Sequence, residues 1–435
     1  MLRRSLLQFA TGMGLAGLTG DRFSQRVQSA IQRHRTAKIE LDIVDPSDRP
    51  LVNQVIKLEH IGHLFQFGCA YSQHLAPRDQ ETDYDRRLRQ YFLQLCNSAT
   101  VTFYWAGYEP QRGQYQDQPL LEKINWLKSQ GFYLRGHPLF WNHNPACFPS
   151  WLDPHIDDRQ LLSLLEALLT HLSTQIFPQI DEVDVFNELT FWEIYDHPLT
   201  RLLQGETKGK IVRDLFTQFK VLNPQVRSAI NDFVPTFAYF QLVRSLIDRA
   251  TPIEAIGQQS HMHRGYWSDP RLLGILERFR TLNLPLTFTE VSVLSADPRP
   301  NLDFSRTYTD WHSTNHGEQK QAEYLRHFYQ LLYSQPHVQG IYLWGISDRH
   351  AWLGAPTGIL DRDGHPKPAY LALNQLINHA WRTTGQYRTD ASGKVVIPNA
   401  YEGRYQLVVD RQIYDLGVHS ARHPLQRRVK LVNPL

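Results

Sequence analysis

The chain has 435 residues, of which 42% are hydrophobic, 20% charged and 12% aromatic, a composition that predicts a globular protein with a large buried core. The formal net charge of +3 arises from the N-terminal segment, because residues 1–37 carry six basic side chains and one acidic side chain. The remainder has 40 basic and 42 acidic side chains, a net charge of −2. This balance argues against a nucleic-acid partner or an anionic membrane surface as partner.

Residues 1–37 are predicted to be an export signal followed by a linker. Two adjacent arginines, Arg3 and Arg4, precede Leu6-Leu7 and a weakly apolar stretch from Phe9 to Leu18. This order resembles a twin-arginine signal, which implies a bacterial protein exported to the periplasm or to the outside of the cell. The apolar stretch is too short to span a membrane and no other stretch is apolar enough, so we expect no membrane span in the mature protein.

The segment 38–63 and the tail 381–435 are both predicted to be β-rich. In the first, apolar and polar residues alternate on either side of a turn at 45–50, and in the tail short strands are expected near 395–397 and 405–409. An isolated hairpin is only marginally stable in water. We therefore expect the two ends to meet in one sheet beside the main domain, as a small β-rich appendage.

Residues 64–380 alternate strand-like and helix-like segments. Strands are predicted near 64–70, 97–104, 132–138, 181–188, 226–232, 254–261, 285–291 and 338–345. Helices are predicted near 119–128, 157–176, 208–222, 236–249, 269–282 and 317–334. Eight such units favour the α/β class and a (β/α)8 TIM barrel. A doubly wound open sheet is the alternative, but the chain has no glycine-rich phosphate loop to support it.

Two of the predicted strands end in a glutamate. The run Val183–Asn187 leads into Glu188, and the run Leu284–Thr289 leads into Glu290. The strand ends of an (α/β) barrel carry its chemistry. Two carboxylates on separate strands suit glycoside hydrolysis, in which one is the acid and the other the nucleophile or base. The alternative for each glutamate is a buried structural ion pair.

Several motifs occur in a fixed order along the same segment. They are Phe67-Gly68-Cys69-Ala70, Arg135–Trp141, Asp184–Glu188, Asn231-Asp232-Phe233, Gln259-Ser260-His261, Thr289-Glu290, Leu343–Asp348 with Trp352, and Lys367-Pro368-Ala369-Tyr370. In this order they resemble glycoside hydrolase family 10, the endo-1,4-β-xylanase family, over residues 64–380. The resemblance implies hydrolysis of β-1,4-linked xylan or a related β-glycan, with a polysaccharide or oligosaccharide as partner. We expect no cofactor and a monomer.

The predicted mechanism retains the anomeric configuration. It needs two carboxyl groups ~5–5.5 Å apart, and we assign Glu290 as nucleophile and Glu188 as acid/base. Asn187 is placed to donate to the sugar 2-hydroxyl, and His261 to hydrogen-bond Glu290. The remaining residues assigned to the substrate site are His137, Gln259, Trp141, Trp344 and Trp352. A core role is the alternative for His261 and for each tryptophan.

No metal site is expected. The pair His261 and His263 resembles a metal-binding spacing, but no third ligand is evident. The three cysteines, Cys69, Cys96 and Cys147, are too few for a disulfide framework. One bridge between Cys69 and Cys96 stays open.

The chain departs from the family pattern at three places. The segment Thr100–Trp105 lacks the Glu-Asn and Lys that usually grip the sugar one step further from the cut, and Phe103, Tyr104 and Trp105 could offer an apolar platform instead. Ser292 stands where an Asp commonly supports the strand-six histidine. Asn142 follows Trp141 where a His is common. These departures concern the preferred glycan and leave the reaction type unchanged.

Two other functions are compatible with the sequence. One is a β-glycanase of the same barrel clan that acts on a glucan, mannan or oligosaccharide. The other is a non-catalytic glycan-binding protein of the cell envelope. Intact Glu188 and Glu290 argue against a pure binder, which has no need of two close carboxylates.

Overall fold

The structure is a computed structural model that describes residues 20–71, 81–144, 146–205, 208–419 and 423–432. The predicted twin-arginine signal lies outside the described residues. Among the residues described, no helix is both long enough and apolar enough to cross a membrane. The chain divides into two compact units.

The smaller unit contains the described residues up to Leu64, residues 327–336, and the chain from Trp381 onward. It begins with helix α1 (Gly20–Arg35). Its strands are β1 (Thr36–Val44), β2 (Val55–His63), β11 (Gly385–Arg388), β12 (Lys394–Tyr401), β13 (Gly403–Val409), β14 (Gln412–Val418) and β15 (Leu425–Lys430). They form a three-stranded sheet in the order β12-β1-β15 and a four-stranded sheet in the order β11-β2-β13-β14.

Both sheets of the smaller unit combine strands from the two ends of the chain. In the first sheet Ile39 lies opposite Ile397 and Leu425, and in the second Leu58 lies opposite Leu407. The inward-facing residues of both sheets share one buried hydrophobic cluster. The prediction that the two ends pair is confirmed, but they build two sheets around a common core where one sheet was expected.

Helix α1 occupies residues that the sequence analysis assigned to the linker. Val27 and Ile31, four residues apart, are buried on one face of this helix. At its end the Arg35 guanidinium donates to the carbonyls of Tyr333 (2.8 Å) and Gln335 (2.6 Å). These contacts to distant residues hold the segment in the unit, and local composition does not reveal them.

The larger unit, residues 65–326 and 337–380, is a barrel. Its strands are β3 (Gln66–Ala70), β4 (Ser98–Thr102), β5 (Tyr133–His137), β6 (Glu182–Asn187), β7 (Arg227–Asp232), β8 (Ala255–Met262), β9 (Leu286–Val293) and β10 (Val338–Leu343). They pair in parallel in sequence order, and β10 pairs with both β9 and β3, so the sheet closes. The predicted (β/α)8 barrel is confirmed, and closure rules out the open sheet. Each predicted strand is found within two residues of its expected ends.

Helices surround the strands of the barrel. They are α2 (Asp83–Leu95), α3 (Trp105–Tyr108), α4 (Asp117–Ser129), α5 (Asp158–Gln175), α6 (Pro198–Leu202), α7 (Lys208–Leu222), α8 (Phe237–Asp248), α9 (Asp269–Arg280), α10 (Asn315–Tyr333) and α11 (Pro368–Asn374), which continues as a π-helical turn over Gln375–Ala380. Short 3₁₀ turns lie at Phe177–Gln179, Trp192–Ile194, Asp348–His350 and Trp352–Gly354. Cys69, Cys96 and Cys147 are buried free thiols, so the bridge left open above does not form.

Candidate active site

The polar side chains of the candidate site lie in the carboxyl-terminal halves of four neighbouring barrel strands or directly after them. Glu188 directly follows β6, Asn231 is near the end of β7, Gln259 and His261 lie on β8, and Glu290 lies on β9. Every residue of β6 and β9 is buried. The strand ends therefore carry polar groups into a region that is shielded from water, where electrostatic interactions are strong.

Glu290 is almost fully buried, and both of its carboxylate oxygens have hydrogen-bond partners. Asn231 Nδ2 donates to Oε1 at 2.8 Å, and His261 Nε2 lies 3.0 Å from Oε2. His137 Nε2 is 3.8 Å from Oε1. Partners on both oxygens fix the direction in which the carboxylate points.

Glu188 is held by a different set of partners. Gln259 Nε2 donates to Oε1 at 3.0 Å, Trp141 Nε1 donates to Oε2 at 3.1 Å, and the Tyr195 hydroxyl lies 3.5 Å from Oε2. The residue has a positive φ of 58°, in the left-handed region. Such backbone geometry costs about 1–3 kcal/mol in a residue other than glycine and persists only where its surroundings impose it. Here the amide of Glu188 donates to the carbonyl of Asn231 at 2.9 Å.

The electrostatic surroundings keep Glu188 protonated. Burial, with smaller contributions from the charges of Glu290 and Asp232, raises the pKa of its carboxyl to about 8, although the hydrogen bonds from Gln259 and Trp141 act to lower it. Two carboxyl groups in one site with such different surroundings are the arrangement that separates an acid from a nucleophile.

A chain of amide groups connects the two glutamates. Asn187 Oδ1 accepts from Asn231 Nδ2 (2.9 Å), which also serves Glu290, and from Gln259 Nε2 (3.2 Å), which also serves Glu188. The Nδ2 of Asn187 is buried and finds no partner among the described residues. A buried donor left unpaired is costly unless a ligand accepts from it, so this group is free for a substrate hydroxyl.

A glycine on β8 makes room for this chain. A Cβ at Gly257 would lie 2.3 Å from Asn231 Oδ1. With hydrogen in that place, Asn231 Oδ1 accepts from the Thr289 hydroxyl at 2.7 Å. A larger residue at position 257 would displace Asn231 and, with it, the donor to Glu290.

His137 is oriented by buried charges beneath the site. Its Nδ1 lies 2.8 Å from Asp184, which also pairs with Arg135, and Arg135 binds Glu182 at 2.6 Å. Burial alone would lower the pKa of Arg135, but Asp184 and Glu182 raise it, so the guanidinium stays charged. With Nδ1 donating to Asp184, the Nε2 of His137 faces Glu290.

His261 bridges Glu290 and Ser292. Its Nε2 lies 3.0 Å from Glu290 and its Nδ1 lies 3.0 Å from the Ser292 hydroxyl. When Nε2 donates to the carboxylate, the serine hydroxyl can donate to Nδ1 of a neutral ring. Ser292 can therefore complete the hydrogen bonding of His261 without a second negative charge.

Tryptophan rings border this polar cluster. Trp344 lies 5.4 Å from the His137 ring and 6.0 Å from the His261 ring, and Trp352, which is 41% exposed, lies 4.8 Å from the His261 ring. Together with Trp141, they surround the two glutamates with apolar faces suited to the C–H surfaces of a sugar.

The proposed aromatic platform after β4 reduces to one residue. Phe103 and Trp105 are each 4% exposed and pack against Phe177 and Trp151, so they belong to the core. Only Tyr104 turns toward the site, with its ring 6.0 Å from His137. Burial raises the pKa of the Tyr104 phenol well above its usual range, with further contributions from Glu290, Cys147 and Glu188.

The structure brings all the predicted site residues into one cluster and adds two that were not selected. Asn231 belongs to the motif Asn231-Asp232-Phe233, and its place near the end of a predicted strand is the sequence signal that points to it. Tyr195 lies in an irregular segment between β6 and α6, where no sequence pattern indicates a role. Its position follows from the folded loops alone.

Comparison with known proteins gives a consistent assignment. The sequence model described as Glycosyl hydrolase family 10 matches residues 58–376. Endo-1,4-beta-xylanase B of Thermotoga neapolitana is 25% identical, over 63% of this chain and 78% of its own length. Anti-sigma-I factor RsgI6 of Acetivibrio thermocellus is 23% identical over 90% of this chain, which spans about half (47%) of that relative's length.

Solved structures are similar at the level of the fold. Xylanase 10B of Thermotoga petrophila, solved in complex with xylobiose, has a TM-score of 0.60 at 20% identity, and the match covers 73% of this chain and 95% of that one. The GH10 structure from Paenibacillus barcinonensis has a TM-score of 0.61 at 19% identity, covering 72% and 95%.

Proposed function

This chain belongs to glycosyl hydrolase family 10, and we propose that it cleaves β-1,4-linked xylan or a related plant cell-wall β-glycan by a retaining double displacement. The observation that carries the proposal is the contrast between the two glutamates. Both oxygens of Glu290 accept hydrogen bonds, and burial holds the carboxyl of Glu188 protonated with a pKa near 8.

In the first step a Glu290 oxygen attacks the anomeric carbon as the bond to the leaving oxygen breaks. The proton of Glu188 passes to that oxygen, so the departing sugar leaves as a neutral hydroxyl. Asn187 Nδ2, which has no hydrogen-bond partner among the described residues, donates to the sugar 2-hydroxyl, a bond that strengthens as positive charge develops on the ring.

In the second step Glu188, now a carboxylate, removes a proton from water. The oxygen of that water attacks the anomeric carbon, and the bond to Glu290 breaks. His261 and Asn231 donate to the Glu290 oxygens again as the negative charge returns to them. Each of the two steps inverts the configuration of the anomeric carbon, so the product has the β configuration of the substrate.

The pH dependence should report the raised pKa of Glu188. The first step needs this carboxyl protonated, so kcat/KM on an oligosaccharide should fall as pH rises through about 8. The measurement is kcat/KM from pH 5 to 10. A dinitrophenyl glycoside is the control, because its leaving group needs no proton and its alkaline fall should be much weaker. Loss of oligosaccharide activity already at pH 5 to 6 would contradict the assignment.

The part of the site that would bind the sugar one step beyond the cleaved one is expected to discriminate weakly among sugars. Tyr104 supplies an uncharged ring where the family usually has charged groups, and a hydrogen bond to a charged group contributes about 1.5–3 kcal/mol. We expect modest activity on plain xylan, and comparable or better activity on a decorated or different β-glycan.

Chain-length dependence tests this expectation. On xylo-oligosaccharides, adding the sugar beyond the one at the cleavage site should raise kcat/KM by less than roughly tenfold, since the segment Thr100–Trp105 has no charged side chain to bind that sugar. A steep rise in kcat/KM, of the order of a hundredfold, would show that residues of other loops bind this sugar strongly. Tyr104→Ala should lower kcat/KM for all lengths if the ring is the platform, and it should have no effect if the ring only fills the barrel mouth.

The second candidate function is glycan binding without turnover. It is favoured by the match over 90% of this chain to a relative named as an anti-sigma factor. A reducing-sugar assay on purified xylans, glucans and mannans decides between the two. Release of reducing ends supports hydrolysis and identifies the glycan, whereas binding of a glycan with no release supports the binding function.

We also propose that the protein acts outside the cytoplasm, as a monomer. A polysaccharide cannot cross a membrane, so an enzyme that cleaves it must be exported to meet it. The twin-arginine-like start of the sequence provides a route for a folded protein.

A further inference from the structure

We infer that Tyr195 is a positioning residue for the acid/base glutamate: its hydroxyl accepts a hydrogen bond from the protonated carboxyl of Glu188 in the resting acid and donates one to the carboxylate once the proton has left. The inference rests on the proposed function. It starts from the three groups among the described residues that lie within hydrogen-bond distance of the Glu188 carboxyl.

Two of those groups can only donate. Gln259 presents Nε2 to Oε1 and Trp141 presents Nε1 to Oε2, and an amide or indole N–H cannot accept a proton in return. When Glu188 is protonated, neither serves the acidic hydrogen. The Tyr195 hydroxyl, 3.5 Å from Oε2, is the one partner among the three that can reverse from donor to acceptor by rotating.

The change of the Tyr195 hydroxyl from acceptor to donor assists the first step of the reaction. As the Glu188 proton moves to the leaving oxygen, a carboxylate forms in a buried place. The Tyr195 hydroxyl then turns and donates to it, which makes a charge-assisted bond stronger than the neutral one it replaces. The 3.5 Å separation is long for an O–H···O bond, and such contacts often tighten only when substrate is bound.

Buried contacts hold the segment that carries Tyr195. Asn142 Nδ2 donates to the carbonyl of Trp192 and to the Thr200 hydroxyl, each at 2.7 Å, and the Thr200 hydroxyl donates to the carbonyl of Tyr195 at 2.7 Å. Asn142 is fully buried. The residue next to Trp141, a departure from the family pattern, thus fixes the backbone of Tyr195.

Aromatic packing fixes the Tyr195 ring as well. His143 lies edge-to-face with it at 5.0 Å and stacks on Trp141 at 4.4 Å. The two donors to Oε2 are therefore linked through one histidine ring. A change of Tyr195 to phenylalanine keeps this packing and removes only the hydroxyl.

The test is Tyr195→Phe, with kinetics on two substrate classes. For oligosaccharides, whose leaving oxygen needs a proton, kcat/KM should fall roughly tenfold. For a dinitrophenyl glycoside it should change less than about twofold, because that leaving group needs no acid. Tyr414→Phe, in the smaller unit, is the matched control and should change neither. Melting temperatures of all variants show whether the fold is kept.

The pH profile separates this role from a merely structural one. The other titratable groups near Glu188 and Tyr195, namely Glu290, Asp232, Tyr104, Cys147 and His143, are unchanged in the variant. Loss of a donor to the carboxylate should move the alkaline limb of oligosaccharide kcat/KM upward by about half a pH unit or more. Equal losses on both substrates with an unmoved limb would overturn the inference.

An activity-independent readout keeps this inference distinct from the proposed function. The carbon-13 signal of the Glu188 carboxyl, identified by its loss in Glu188→Gln, should titrate at higher pH in Tyr195→Phe than in the parent. An unchanged titration would refute the role of Tyr195 even if the parent hydrolyses glycans. An inert parent on every glycan, with the titration shifted, would refute the proposed hydrolysis alone.

Discussion

Replacing Glu290 with alanine is expected to lower turnover by more than about 10⁴-fold, because the group that attacks the anomeric carbon is gone. The fold should persist, since Asn231 keeps its bond to Asn187 and His261 keeps its bond to Ser292. The measurement is kcat on an aryl β-glycoside, together with glycan affinity by calorimetry. Affinity should change little.

Azide makes this result specific for a nucleophile. The space left by the Glu290 side chain can admit a small anion, which should restore turnover and yield a glycosyl azide of inverted, α configuration. Glu277→Ala is the matched control, because Glu277 is an exposed glutamate that pairs with Arg280 on the surface of α9. It should keep full activity. Substantial activity of Glu290→Ala without azide would remove this residue from the mechanism.

Replacing Glu188 with alanine should produce a loss that depends on the leaving group. For oligosaccharides kcat/KM should fall by roughly 10²–10⁴-fold, the range expected for a lost general acid. For a dinitrophenyl glycoside kcat/KM should fall far less, because it reports the first step and this leaving group departs unprotonated. Its kcat should still drop, since the second step loses the base that activates water.

The configuration of the azide product tests the role of Glu188 as well. In Glu188→Ala, azide can attack the glycosyl-enzyme formed on Glu290, so the glycosyl azide should have the β configuration, opposite to that expected from Glu290→Ala. Equal loss of kcat/KM on both substrate classes would show that Glu188 is not the acid.

The barrel could be predicted because its signals are local. Short strand-like segments alternate with helix-like segments along the chain, Glu188 directly follows β6, and Glu290 lies in the carboxyl-terminal half of β9. Helix α2 was not among the predicted helices, although Leu88, Phe92 and a capping box at Thr82 mark it. The many charged residues of this helix interrupt its apolar residues, so the helical spacing of the apolar residues is difficult to recognise in the sequence.

Long-range pairing explains what the sequence could not reveal. That β1 pairs with both β12 and β15 depends on residues more than 350 positions away. Tyr195 reaches Glu188 because Asn142, more than 50 residues earlier, binds its loop. Phe103 and Trp105 were plausible as a platform until packing showed them in the core. Residue type and spacing do not determine such contacts.

The most direct test of the central claim is the configuration of the first product. The substrate is xylotetraose, or the glycan identified by the reducing-sugar assay. Proton NMR can follow the anomeric signals of the sugars released from it before the two anomers equilibrate. Double displacement through Glu290 and Glu188 predicts that the β-anomer appears first and the α-anomer grows in later by mutarotation. The α-anomer appearing first would mean single displacement by water and would contradict the assignment of Glu290 as nucleophile.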